Sequence, residues 1–414
     1  MMWFTDLFDN AILSNLVISN TSEFFEMWKS PAIKASISFY IFNYTNLEEF
    51  EARMVKKLHV QEVGPYVYDE LLERVNISFQ DDTVSYQEKR TYAFRPDLSK
   101  GRQSDRVMVP NIPLMSGAAM TKHRNYFTRL GFSSILNGLD EKPFVKLPAD
   151  SFILGYDDDL FDISRSLAKL EDKPTPEKFG LLATKSGLQP NVLTMNTGRN
   201  DINKLGIIEK LNGKKQLEYW STEECNRLLS SSDGVVHPPK LVQQKQPLSF
   251  LMPNMCRSLP LVFDREVKVL NGKIPSYSTA KRDVQTYMNL HPVMGFSMSG
   301  KMDIQVNLQV QKAYGMYQLD RYEDGLMLPI AWIKYELNDK TLPQSFIDVI
   351  YGATYTFKGV KMALKYGCLL TSLITLVCII LVFKNKWESA TRVNSTSSRQ
   401  RLQRQHTGNT FVEL

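Results

Sequence analysis

Gly367 to Phe383 reads GCLLTSLITLVCIILVF, seventeen residues without a charge, and Tyr366 adds an aromatic at its edge. At about 1.5 Å per helical residue this run nearly crosses a hydrocarbon core of about 30 Å, and the stems of Lys365 and Lys384 can snorkel over the shortfall. A buried core helix is the competing reading, but flanking lysines and a polar continuation fit a stop-transfer segment better. From Lys384 onward, six basic residues face only Glu388 and Glu413, so this end carries +4 of the chain's net +6. A nearly balanced remainder excludes a general nucleic-acid binder, whose surplus would lie on its folded part. The sequence therefore predicts a luminal or extracellular body over 1–365, a membrane helix over 366–383 and a basic cytosolic tail over 384–414.

A body outside the cytosol should carry the marks of that compartment. Three N-x-S/T acceptors lie in it, at Asn20, Asn43 and Asn76, while Asn394 falls in the tail and should go unused. Cys225 and Cys256 are the body's cysteines and permit one disulfide, whereas Cys368 and Cys378 lie within the apolar run. The first twenty residues show neither a basic leader nor a continuous apolar stretch, and so read as neither a signal peptide nor a first span. Phe4, Phe8, Ile12 and Leu16 recur at helical spacing and predict a helix packed on the body.

Alternation dominates the rest of the body. Ile37, Phe39 and Ile41 point one way, and Met302 to Val310 give a long period-two run. Val75, Ile77 and Phe79 alternate up to Asp81-Asp82, and Val84 and Tyr86 resume the pattern, which predicts a hairpin. Between these strands, about Ser116 to Gly138 reads as helical. Spacing of 100° places Ala119, Met120, His123, Tyr126, Phe127 and Leu130 on one side and Lys122 and Arg129 on the other, with Gly131 and Gly138 as stops. The fold class is mixed α+β. After Asn394, Ser, Arg and Gln accumulate and disorder is expected.

Catalytic and metal chemistry have little to stand on. Gly295-Phe296-Ser297-Met298-Ser299-Gly300 approaches a nucleophile elbow, but Ser299 replaces the second glycine and a strand comes next instead of a helix. The histidines at 59, 123, 237 and 291 lack ligand spacing, and Asp157 to Asp159 lack the alternation of a calcium loop, so no metal or cofactor is called for. Phe411-Val412-Glu413-Leu414 ends in a free carboxylate with valine two positions before it. It suits capture by a PDZ groove as well as it suits an ordinary frayed terminus. The tail carries no tyrosine and no acidic di-leucine sequence, which favours the plasma membrane over the lysosome.

Several segments together resemble the class B scavenger receptor family, which includes the fatty acid translocase and the lysosomal integral membrane protein type two. Glu62-Val63-Gly64-Pro65-Tyr66-Val67-Tyr68 is similar to its Gly-Pro-Tyr signature, and Phe42-Asn43-Tyr44-Thr45-Asn46 to a strand end preceded by the tryptophan segment around Trp28. Tyr219-Trp220, then Met255-Cys256-Arg257-Ser258, and the strand from Gly295 come in the family's order. The resemblance implies a large antiparallel β-barrel-like ectodomain with an apical helical bundle about 116–138 and a lipid tunnel. It implies a receptor for lipoproteins, anionic phospholipids or fatty acids that Lys122, Arg124, Phe127 and Arg129 would meet at the apex. A lysosomal trafficking receptor for a protein cargo is the alternative. Against the family pattern the chain looks shortened, without the first membrane span and without a cysteine-containing segment between Tyr277 and Ala280. Cys225 and Cys256 resemble cysteines whose partners lie in that segment, and stand either free or joined to each other. Losing strands from a closed sheet is expected to expose edges.

Overall fold

The computed structural model describes residues 13–408 apart from 32–33, 170–175, 229, 270–271, 280–285, 314, 339–341 and 353–355. The chain divides into two units, 12–347 and a second made of the remainder, and each is described by itself.

Among the described residues, the first unit is built on thirteen strands. In chain order they are β1 (Ala35–Tyr44), β2 (Val60–Gln80), β3 (Thr83–Phe94), β4 (Arg106–Pro110), β5 (Phe144–Pro148), β6 (Gly187–Asn196) and β7 (Ile208–Leu211). They continue with β8 (Leu248–Met252), β9 (Arg257–Val269), β10 (Gly272–Ser278), β11 (Tyr287–Leu290), β12 (Ser297–Gln309) and β13 (Met327–Leu337). Eleven of them form one sheet in the order β7-β6-β3-β2-β1-β13-β12-β11-β10-β9-β8, while β4 and β5 pair apart. Among the helices are α1 (Glu23–Lys29), α2 (Leu47–Glu51), α3 (Ile112–Thr121), α4 (Tyr126–Gly138), α5 (Ala149–Leu154) and α6 (Phe357–Gly408).

Period-two alternation became burial as expected. Ile37, Phe39 and Ile41 are fully buried and share a core with Tyr66, Tyr68, Val109, Phe152 and Ile153. The hairpin turns at Asp81-Asp82, where Asp81 takes a left-handed φ of 50° between β2 and β3. The Gly-Pro-Tyr signature has a local cause: Gly64 sits at φ +115° beside the bulge in β1, and a Cβ there would lie 2.5 Å from the Phe39 carbonyl oxygen. Only glycine tolerates that conformation and that approach. Tyr66 is thereby turned into the core, and its hydroxyl donates to Asp105 at 3.2 Å.

The edges of the sheet do not stay open. Ser231 and Ser232 lie between β7 and β8: the Ile208 N–H donates to the Ser231 carbonyl at 2.8 Å, Ser232 N–H to Ser249 at 3.0 Å, and Leu251 N–H to Ser232 at 2.8 Å. Two residues thus satisfy backbone groups on both edges and bring the sheet close to a barrel. The expectation of exposed edges is corrected by this contact.

One further expectation falls largely outside the described residues, and another changes. Leu16 is buried, but Phe4, Phe8 and Ile12 lie outside the described residues. In the second unit, α6 runs without interruption from Phe357 to Gly408, so the helix continues through much of the tail expected to be disordered. Arg399 to Gln405 supplies arginine, glutamine and leucine of good helix propensity, although Asn394 to Ser398 does not. Within α6, Met362–Arg399 is the one helix among the described residues long and apolar enough to cross a membrane.

Candidate functional site

Residues Lys122 to Arg129 span the junction of α3 and α4. Each helix starts on an asparagine: Asn111 Oδ1 accepts from Leu114 N–H at 3.0 Å, and Asn125 Oδ1 from Thr128 N–H at 2.9 Å. The second cap sets the break at 122–125, ahead of the stop expected at Gly131, which lies inside α4. Leu114, Met115, Ala118 and Leu136 pack into a core with Tyr44, Phe144 and Tyr322. Ser133 Oγ donates to the Gly315 carbonyl at 2.9 Å and Gln318 Nε2 to Asn137 at 2.8 Å, which fixes α4 to the 315–318 turn.

Because the helix breaks, the apolar face read from a single continuous period is not the buried one. Phe127 is 80% exposed, Met120 77%, Tyr126 57% and Leu130 48%. Tyr126 and Phe127 meet edge to face, with ring centroids 5.7 Å apart. Arg124 is exposed just before the α4 cap. Lys122 has a partner: its ammonium donates to both carboxylate oxygens of Asp324, at 3.0 and 2.9 Å, and this holds the Asp324 carboxyl below its usual range. Arg129 is half-buried, and its Nε has no hydrogen-bond partner among the described residues. The junction brings together Phe127 and Arg124, neutralises Lys122 and half-sequesters Arg129. Met120, Tyr126 and Leu130, which periodicity placed on one side with Phe127, are exposed apolar surface together with it. Their nearness to Asn125, a capping residue, was the available signal for the break.

Inside the sheet, β2 and β3 carry charge. Arg90 pairs with Glu70 at 2.8 Å and Glu88 at 2.6 Å, and the Tyr92 hydroxyl donates to Glu70 at 3.0 Å. Lys185 reaches the Tyr335 hydroxyl at 3.1 Å. An apolar cavity of about 150 Å³ opens beside Tyr335, lined by Phe250, Leu261, Met288 and Met302. Ser297 lies in β12 and donates to the Gly234 carbonyl at 2.6 Å, a strand position far from the strand-to-helix elbow of a hydrolase.

The chain matches the CD36 family over residues 1–282 and 273–383. It belongs to that family. Among its relatives is scavenger receptor class B member 1 of Bos taurus, 25% identical over 422 residues, covering 87% of this chain and 82% of the relative. The same receptor of Mus musculus is 32% identical over 273 residues, covering 66% of this chain and 52% of its own length. Lysosome membrane protein 2 of Homo sapiens is 30% identical over 258 residues, covering 62% and 52%. None of these names denotes an enzyme. Membership, the candidate span and the nearly closed antiparallel sheet make this chain a mixed α+β membrane protein of the class B scavenger receptor family.

The other residues singled out by sequence are scattered. Asn20 and Asn76 are exposed, but Asn43 is half-buried and its Oδ1 accepts from Met108 N–H at 2.8 Å. Cys225 and Cys256 are free thiols, so of the two readings the unjoined one describes the structure. Phe411, Val412, Glu413 and Leu414 lie outside the described residues.

Proposed function

We propose that this CD36-family member is a plasma-membrane receptor that captures lipoproteins and other particles bearing anionic lipid on the α3–α4 junction. The carrying observation is the exposed Met120, Tyr126, Phe127 and Leu130 beside the exposed Arg124. Apolar side chains of this size left in water mark an interaction surface, and they gain free energy on entering a lipid monolayer. Arg124, and Arg129 where it emerges, steer anionic particles towards them. A captured lipid then travels through the barrel interior to the membrane, and the basic end of α6 lies in the cytosol, where its terminus can meet a PDZ domain. Asn20 and Asn76 are the glycan sites that geometry favours.

The test is uptake of labelled anionic lipoprotein by cells expressing the full chain at matched surface levels. Tyr126→Ala with Phe127→Ala should lower uptake about tenfold, the scale of losing one interface hot spot. Arg124→Ala should lower it several-fold and make it less salt-sensitive, while Lys122→Ala should do less because Asp324 already neutralises it. Uptake unchanged by the aromatic pair would sink the assignment. Kinship with lysosome membrane protein 2 supports a second reading, a trafficking receptor for a protein cargo. An epitope-tagged chain found strictly with lysosomal markers would favour it.

A further inference from the structure

A groove of about 680 Å³ lies where β1 ends, α2 turns back and β13 begins, and no residue of α3 or α4 lines it. Its floor is apolar. Tyr44 and Leu328 are buried there, Phe50 stacks on Tyr322 at 5.6 Å, and Leu58 completes the wall. The Tyr44 hydroxyl is already spent on the Pro329 carbonyl at 3.0 Å, so the floor offers no free polar group at that ring.

The mouth is different in kind. Arg53, Lys56, Lys57 and Arg321 line it with Asp320 and Glu323, four cations to two carboxylates. Some exposed lysines elsewhere find acids, as Lys178 does with Asp157 and Lys245 with Glu266. Among the described residues none of these four cations makes an ion pair, although two carboxylates line the same groove. Arg53 is held at φ +61°, where a side chain costs about 1 kcal/mol or more. A cationic mouth over an apolar floor is what an amphiphile site requires.

Size and charge choose the occupant. A methylene takes about the share of liquid volume that a water does, roughly 30 Å³, so one long acyl chain needs about 500 Å³ and two chains about twice that. The groove accepts one chain and a headgroup. Its surplus of two positive charges matches a phosphate monoester, which carries about −1.5 to −2, better than a single carboxylate. Arginine also meets phosphate through two parallel hydrogen bonds. We propose that this groove binds a single-chain phosphate monoester of the lysophosphatidate class, its phosphate at Arg53, Lys57 and Arg321 and its chain along Tyr44, Phe50, Leu58 and Leu328.

The test uses purified full chain in amphipol and a fluorescent eighteen-carbon lysophosphatidate. Arg53→Gln with Arg321→Gln should weaken binding at least tenfold without moving the melting temperature, since both residues are exposed. Leu58→Trp, which fills the floor without touching charge, should weaken it similarly. Oleate should compete at least tenfold less well than unlabelled oleoyl lysophosphatidate. Unchanged affinity in the double glutamine variant overturns the proposal, as does oleate competing equally. Full displacement by inorganic phosphate with Leu58→Trp silent would show a headgroup site only and overturns it too. Phe127→Ala should leave this affinity intact, so failure here and failure of particle capture at α3–α4 are read separately.

Discussion

Arg74 is fully buried on β2, and both of its terminal nitrogens find an acceptor. Asp233 accepts at 2.5 Å, the Trp28 carbonyl accepts from the other terminal nitrogen, and the guanidinium lies 5.0 Å from the Trp28 ring and 5.3 Å from the Tyr86 ring. Burial pushes the Asp233 carboxyl up, but Arg74 beside it and backbone and Tyr86 hydrogen bonds outweigh that and hold it below the usual range. Such a pair adds little net stability, yet losing one partner strands the other charge in the core. Asp233→Asn should therefore cost about 3–5 kcal/mol in denaturant unfolding, and Arg74→Met added to it should recover part of the loss. If Asp233→Asn alone proved neutral, the pair would be ornamental. Residue geometry also sorts the glycan acceptors. Removing glycans enzymatically should shift the mass by two chains; Asn20→Gln and Asn76→Gln should each abolish one, and Asn43→Gln none, because Asn43 is half-buried while the other two are exposed.

At the scale of elements, α3 and α4 approach tightly at Gly117. A Cβ on Gly117 would meet the Phe132 ring at 2.3 Å, closer than any real contact. Gly117→Ala would gain up to about 1 kcal/mol in helix propensity, but overpacking costs about 1–3 kcal/mol, so the contact should win. The variant should melt lower than the parent, and Phe132→Ala in the same chain should relieve the clash; a Gly117→Ala that melts higher than the parent would show that Phe132 simply swings aside. The same pair of helices shows where the sequence was readable. Strands announced themselves through alternation at Ile37, Phe39 and Ile41, and the hairpin through Asp81-Asp82, because burial on one face imposes period two. The helical region was legible as helix, but its break was not. Glycine at 131 has open space where a Cβ would go and does not end the helix, whereas Asn125 caps the second one. Moving that break rotates α4 relative to α3 and turns Phe127 outward. Arg129 and Lys122 are also in different circumstances from those spacing suggested, since Asp324 is about two hundred residues away in sequence.

For the whole β unit, closure depends on a stretch with no periodicity at all. Ser231 and Ser232 bridge β7 and β8, Asp233 takes Arg74, and the chain then pairs with the start of β12, where His237 N–H donates to the Gly295 carbonyl at 2.8 Å. No local pattern marks such a segment, because its partners lie on five different strands, β2, β3, β7, β8 and β12. It also holds His237, one of two buried imidazoles that acid would have to charge. Burial pushes His237 down to about 4, with Asp233 only partly offsetting it, and burial pushes His291 down to about 4 as well. His291 Nδ1 accepts from Met294 N–H at 3.1 Å, and Ser232 Oγ lies 3.2 Å from the His237 ring, contacts suited to neutral imidazoles. An unfolded histidine takes a proton near 6.5, so between pH 6.5 and 4 the unfolded chain binds protons that the folded one refuses. Stability from these two groups is complete above 6.5 and falls as pH drops through that window, by about 3 kcal/mol each at its lower end. Asp233 stays ionised throughout, since its carboxyl lies below the usual range. Glu141 and Asp158, pushed up by burial, act in the opposite sense. The melting temperature of the purified chain should thus decline from pH 7 to pH 4.5. His237→Asn should lower it at neutral pH but flatten the decline, because the clasp then has no imidazole to charge; a parent protein with a level profile across that range would mean that the clasp is held by something other than these neutral rings.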